Sequence, residues 1–220
     1  MSFFDNLKSQ ITSQLRREVS KNVNEAVKNA KQNIGKGRNH TETFSFNALP
    51  TNLAELKALP EASLDSAFKT VALCVAALCS YEKDINATWE MLDFLKGPES
   101  VNEKEKTFIK DRLAGKQYKT LSFFKGATAD NGYTPSVPYT ITVSENPYSF
   151  DEENWATLYV TSAGADAPRP IKLRRKPSTN QWFINEIQCL ADIRIPTREQ
   201  WFLAGGEELA EGMQEVEETS

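Results

Sequence analysis

The chain has 220 residues, of which 40% are hydrophobic, and its formal net charge is −4 at pH 7. This apolar fraction is enough for a core, so the composition excludes a globally disordered chain. The most apolar run, residues 71–78, is too short to cross a bilayer, and residues 1–17 lack the continuous apolar segment of a secretory signal. We therefore predict a cytoplasmic protein, with peripheral attachment to the membrane as the alternative.

Charge is unevenly distributed between the two ends of the chain. Residues 1–40 contain eight Lys or Arg and three Asp or Glu, whereas residues 205–220 contain six Glu and no basic residue. Blocks of like charge are typical of interaction segments rather than of a packed core. We predict an acidic tail over residues 204–220.

Residues 3–34 carry the periodicity of a long amphipathic helix. Apolar residues recur every three or four positions, and Gly35 and Gly37 end the pattern. We predict a helix over residues 3–34 and a linker over residues 35–42. The positions expected to contact a partner are Phe4, Leu7, Ile11, Leu15, Val19 and Val23.

Such a helix cannot bury its apolar stripe alone in water, so it needs a partner surface. Self-association, docking to another protein and packing on its own domain all satisfy this need. A membrane surface is a further alternative, because Phe3 and Phe4 accompany basic residues on the same segment. The basic residues are spread out and no other aromatic lies among them, which argues against nucleic acid.

A short strand over residues 43–46 and four helices are predicted next. The helices are expected at residues 52–59, 65–81, 84–96 and 100–115. Asn52 with Glu55, and Ser100 with Glu103, match the capping-box pattern that begins a helix. The second helix is apolar on all sides, which is typical of a buried central helix.

The segment 118–138 is predicted to be a long connection without regular structure. It is rich in aromatic residues and prolines, and connections of this length are often functional. Two interpretations stay open: apolar side chains fix it over the sheet, or it covers a ligand.

The most convincing strand signals lie between residues 137 and 196. Alternating apolar and polar residues predict strands at 139–143, 169–176 and 181–187, and the alternation returns at 189–195. The run 155–161 is apolar on both faces, which predicts a central strand. The short connections imply antiparallel neighbours. The expected fold class is α+β: a helical layer packed on one antiparallel, four- to five-stranded meander sheet, forming a domain over residues 43–203.

The inventory of reactive side chains excludes several catalytic mechanisms. The only histidine, His40, falls in the predicted linker, so no Ser-His or Cys-His pair is expected inside the domain. Cys74, Cys79 and Cys189 are expected to be buried thiols. No dinucleotide, phosphate or calcium motif is present. We predict no catalytic residues, no metal ligands and no cofactor.

Two groups of residues remain as candidate sites. Tyr133, Tyr139 and Trp155 would line a ligand site between the 118–138 connection and the sheet. The second group is a charged patch on one predicted strand, which could receive the acidic tail. Its members are Lys172, Arg174, Arg175 and Lys176.

Several short motifs carry a family resemblance. They include Ala48-Leu49-Pro50-Thr51, Phe94-Leu95-Lys96-Gly97-Pro98, Asn146-Pro147-Tyr148 and Arg169-Pro170-Ile171-Lys172-Leu173-Arg174. Residues 44–196 thereby resemble an uncharacterised family of cytoplasmic bacterial proteins, mostly from Firmicutes. The resemblance implies no activity.

Taken together, the residues favour a non-enzymatic interaction or assembly protein that uses its N-terminal helix for self-association or docking. The alternative is a small-molecule-binding domain or a carboxylate-dependent enzyme, with its site between the 118–138 connection and the sheet.

Overall fold

The computed structural model describes residues 39–197. The predicted helix over residues 3–34 and the predicted acidic tail over residues 204–220 lie outside the described residues. The described chain is an α+β domain, as the sequence predicts.

Five strands form one antiparallel sheet in the order β1-β2-β3-β4-β5, which confirms the predicted meander. The first strand begins at Thr41, within the stretch predicted as a linker, and lies at one edge of the sheet. The strands are β1 (Thr41–Phe46), β2 (Tyr139–Ser144), β3 (Trp155–Val160), β4 (Arg169–Lys176) and β5 (Gln181–Ile187).

Between β1 and β2 the chain forms the helical layer. The α-helices are α1 (Leu53–Ala58), α2 (Ala67–Leu78), α3 (Ile85–Lys96), α4 (Glu103–Leu113) and α5 (Tyr118–Leu121). Short 3-10 helices lie at Pro60–Ser63 and Ala129–Asn131.

The central helix α2 holds the two layers together. Only Lys69 among its residues is not buried, as expected from a helix that is apolar on all sides. The helix contacts β1, β2, β3 and β5, and α3 packs against it. The sheet face beneath α2 is called the inner face, and Phe44, Ile141 and Leu158 are buried there. The opposite side is called the outer face.

Helix capping follows the sequence in two places and departs from it in one. The side chains of Asn52 and Asp84 accept backbone N–H bonds at the starts of α1 and α3. The predicted start of α4 at Ser100 is wrong, because Asn102 is the cap and forms the capping box with Glu105.

Two other predictions need correction. The 118–138 connection is not structureless, since it contains α5 and the second 3-10 helix. The alternation at 189–195 does not form a strand. Instead Cys189 and Leu190 are fully buried in the hydrophobic core and Ile195 is exposed, so this segment packs into the core and does not extend the sheet.

None of the helices among residues 39–197 is long and apolar enough to span a membrane.

Candidate functional site

The two edges of the sheet differ in how their backbone groups are satisfied. At β5, the N–H of Trp182 donates to the Leu64 carbonyl at 2.8 Å, and its carbonyl accepts from the Thr70 hydroxyl at 3.0 Å. The Lys96 ammonium donates to the Asn185 carbonyl at 3.4 Å. The helical layer therefore covers this edge.

At the other edge, along β1, no strand among residues 39–197 pairs with the sheet, and this edge is called the open edge. In an antiparallel strand, the N–H and C=O of one residue point to the same side. The Thr140 carbonyl accepts from the Lys125 N–H at 2.8 Å, beside an isolated antiparallel bridge between Phe124 and Ile141. Because Lys125 does not belong to β1, the backbone groups of Thr140 point away from β1. Its partner Ser45 therefore turns its own groups away from β2.

By the same alternation, Thr41, Thr43 and Ser45 point three N–H and three C=O groups out of the sheet, while Phe44 bonds to β2. The His40 carbonyl accepts from Glu145 N–H at 2.9 Å, which continues the pattern. No hydrogen bond within residues 39–197 satisfies these six outward groups.

Hydroxyl side chains occupy the outer face beside this edge. The Thr43 and Thr142 hydroxyl oxygens lie 3.3 Å apart, and those of Ser45 and Thr140 lie 3.0 Å apart. Natural edge strands are commonly guarded by lysine, proline, a bulge or an inward charge. Of these features β1 has only the inward charge, which is the carboxylate of Glu42. This carboxylate accepts a hydrogen bond from the His40 ring at 3.2 Å.

The three predicted ligand-binding residues do not come together. Tyr133 is fully buried and stacks on Tyr118 with ring centroids 5.9 Å apart. Tyr139 is the first residue of β2 and packs edge-on against Phe124. Trp155 is the first residue of β3, and because β2 and β3 are antiparallel it lies at the other end of the sheet.

The 118–138 connection buries two polar side chains, those of Tyr133 and Lys119. Among residues 39–197, the Tyr133 hydroxyl has no hydrogen-bond partner, and Lys119, with 8% of its surface exposed, forms no salt bridge. Burial, together with Lys116 and Arg112, lowers the pKa of Lys119. Desolvated amines and unpaired hydroxyls are groups from which ligand sites are built.

The predicted charged patch is divided between the two faces of the sheet. On the outer face, Lys172 pairs with Glu186 at 2.8 Å and Arg174 pairs with Glu99 at 3.2 Å. On the inner side, Arg175 lies 5.8 Å from the Trp182 ring centroid.

Arg175 also donates to the Asn154 side chain at 3.1 Å. Lys176 is exposed and ends β4. Local pairing thus neutralises the charges of Lys172 and Arg174, and the four residues do not form one continuous cationic surface.

The structure also shows an exposed aromatic pair that the sequence does not predict as a candidate site. Tyr148 and Phe150 lie on the β2–β3 loop with 77% and 41% of their surfaces exposed. The Asn146 side chain accepts the Tyr148 N–H at 2.9 Å and fixes the turn. Asn146-Pro147 predicts this turn, but no local signal shows that its aromatics remain exposed.

The thiols are buried, as predicted. All three cysteines are free, and burial raises the pKa of Cys79 and of Cys189 to about 12. Among residues 39–197, no group of three His, Cys, Asp or Glu side chains is placed to hold a metal ion.

Comparison with known proteins and protein families places the chain in a family. Neither a curated protein nor a solved structure matches the chain. A family model described as a domain of unknown function, DUF6935, matches residues 48–197, which is more than half of the chain and begins just after β1. The chain therefore belongs to the DUF6935 family.

Proposed function

We propose that the protein is a non-enzymatic assembly protein that associates with further copies of itself. The observation that carries the proposal is the open edge of β1, where six outward backbone groups have no hydrogen-bond partner among residues 39–197 and the strand has one charged side chain. Unpaired edges are templates for main-chain pairing with another chain. Evolution usually protects such an edge, so an edge this open favours a role in association.

The segment 3–34 supplies a second surface in this proposal. Its apolar stripe, predicted from the sequence, needs a partner, and it directly precedes the open edge in the chain. A cytoplasmic, bacterial setting is part of the same proposal and rests on the family resemblance and the free thiols.

The test is the molar mass of the full chain in solution, measured by light scattering from micromolar to millimolar concentration. We expect a mass that rises above the 24.7 kDa of one chain. A mass that stays at one chain over the whole range would overturn self-assembly. Binding of that monomer to anionic lipid vesicles would then assign residues 3–34 to a membrane surface.

A small-molecule-binding function is the second candidate, because the hydroxyl of Tyr133, within the 118–138 connection, is buried and has no hydrogen-bond partner among the described residues. We expect Tyr133→Phe to raise the free energy of unfolding by about 1 kcal/mol, since it removes a buried hydroxyl that lacks a hydrogen bond. Urea unfolding measures this, with Tyr148→Phe at an exposed site as the neutral control.

A loss of stability in the Tyr133→Phe variant would contradict that expectation. It would indicate that the hydroxyl has a partner in solution, such as a bound water or ligand, and would favour the small-molecule function.

A further inference from the structure

We infer that the partner of β1 is the β1 strand of a second copy, paired antiparallel about a two-fold axis that passes beside Thr43. This inference rests on the proposed self-assembly and names the surface and the register. It would join two five-stranded sheets into one continuous sheet of ten strands.

The register follows from which backbone groups point outward. Residues that face each other in an antiparallel pair and exchange two hydrogen bonds must both point toward the partner strand. A two-fold axis beside Thr43 pairs Thr43 with itself and Thr41 with Ser45 of the second copy, and reciprocally. These three pairs use all six outward N–H and C=O groups, so every donor faces an acceptor.

An axis beside Phe44 is less favourable. It would pair Thr43 with Ser45 of the second copy, and would place Thr41 opposite Asn47, which lies beyond the end of β1. Two of the six outward groups would then have no strand residue opposite them. The Thr43 register therefore satisfies more of the backbone.

The side chains are also self-complementary in this register. On the outer face, the exposed hydroxyls of Thr41, Thr43 and Ser45 meet one another and extend the ladder that already joins β1 to β2. Opposed hydroxyl pairs stabilise antiparallel strands. On the inner side, Glu42 faces Phe44 of the second copy and not the second Glu42, so no like charges oppose each other.

Glu42 is the one feature that weakens the pairing. Its carboxylate would lose water beside the partner's Phe44, and the His40 ring is its only hydrogen-bond partner among the described residues. We expect Glu42→Gln to tighten the dimer severalfold, because it removes the charge that pairing would desolvate.

The first test places a charge on the edge. In the full chain, Thr43→Lys would bring two ammonium groups together at the axis, and we expect it to raise the dimer dissociation constant at least about tenfold. Thr142→Lys is the matched control, because it puts the same side chain on the same face one strand further in. Light scattering and sedimentation of both variants measure the difference.

The second test reads the register by disulfide formation in the full chain. Paired residues lie about 5.5 Å apart between Cα atoms, which a disulfide can bridge. Thr43→Cys should therefore cross-link to itself. A mixture of the Thr41→Cys and Ser45→Cys proteins should cross-link, whereas either alone should not, because its own thiols would lie about 13 Å apart along the strands. The buried native thiols stay unreactive at neutral pH.

The outcomes separate this inference from the proposed function. An oligomer that is unaffected by Thr43→Lys and gives no Thr43→Cys cross-link would overturn the β1 seam but leave self-assembly through residues 3–34. Cross-linking of Ser45→Cys alone would overturn the register. A chain that is monomeric at every concentration would overturn both proposals.

Discussion

Replacing Glu105 with alanine is expected to destabilise the domain by about 3–5 kcal/mol, the cost of leaving a buried charge unpaired. The Lys96 ammonium donates to the Glu105 carboxylate at 2.5 Å, and the lysine side chain is 6% exposed. Within the described residues, the other hydrogen bond of the ammonium is to the Asn185 carbonyl at 3.4 Å. The same carboxylate also accepts the Asn102 N–H and completes the capping box of α4.

The two partners of this ion pair are not equivalent. Glu105 is 30% exposed, so its carboxylate can be hydrated when Lys96 is absent. We therefore expect Lys96→Met to cost at most about 1 kcal/mol, because it removes the buried charge and keeps most of the packing. Glu105→Gln removes the charge but keeps an oxygen that can accept the Asn102 N–H. Its cost therefore separates the contribution of the ion pair from that of the capping box.

Urea unfolding of the full chain measures these changes in the free energy of unfolding. The matched control is Glu103→Ala on the same helix, where the exposed pair with Lys106 should contribute no more than about 0.5 kcal/mol. Equal costs for Glu105→Ala and Lys96→Met would show that desolvation of the lysine does not decide the effect.

The start of α4 illustrates how far local sequence can predict this fold. Ser100 with Glu103 and Asn102 with Glu105 both fit the capping-box spacing, so the pattern alone allows two starts. The choice is made by tertiary contacts: Val101 is buried, and its N–H donates to the Asp93 carboxylate at 2.7 Å. Strand alternation and helix periodicity, in contrast, are local patterns, so the strands and helices can be predicted from the sequence.

The candidate site depended on contacts that no local pattern contains. The alternation of Thr43 and Phe44 predicts a strand, but its place at an open edge depends on β2, which follows far along the chain. Tyrosine is a residue type that often lines ligand sites, yet tertiary packing buries Tyr133 against Tyr118. The sequence around Lys172 predicts an unpaired cation, but in the fold β5 places Glu186 beside it. Pairing between distant segments decided each outcome.

Replacing Gly97 with alanine should destabilise the domain by about 2–5 kcal/mol, through backbone strain and overpacking together. Gly97 ends α3 with φ 68° and ψ −121°, a conformation that residues with a Cβ rarely adopt. An added methyl group would lie 2.5 Å from Cε1 of Phe183. Arg174, which donates to the Lys96 carbonyl at 2.8 Å, fixes the same turn over the sheet.

A double-mutant cycle with Phe183→Leu separates the two causes. The smaller side chain should relieve the overlap, while the strain at φ 68° remains. The loss of unfolding free energy in the double variant should therefore be smaller than the sum of the two single losses by about 1–3 kcal/mol. Gly115→Ala, at an exposed glycine with φ 64°, is the control for strain alone and should cost about 1 kcal/mol. Additive costs in the cycle would contradict the overlap and leave backbone strain as the whole effect. Because this turn covers β4 and β5 but does not touch β1, the Gly97→Ala chain that remains folded should still form the Thr43→Cys cross-link.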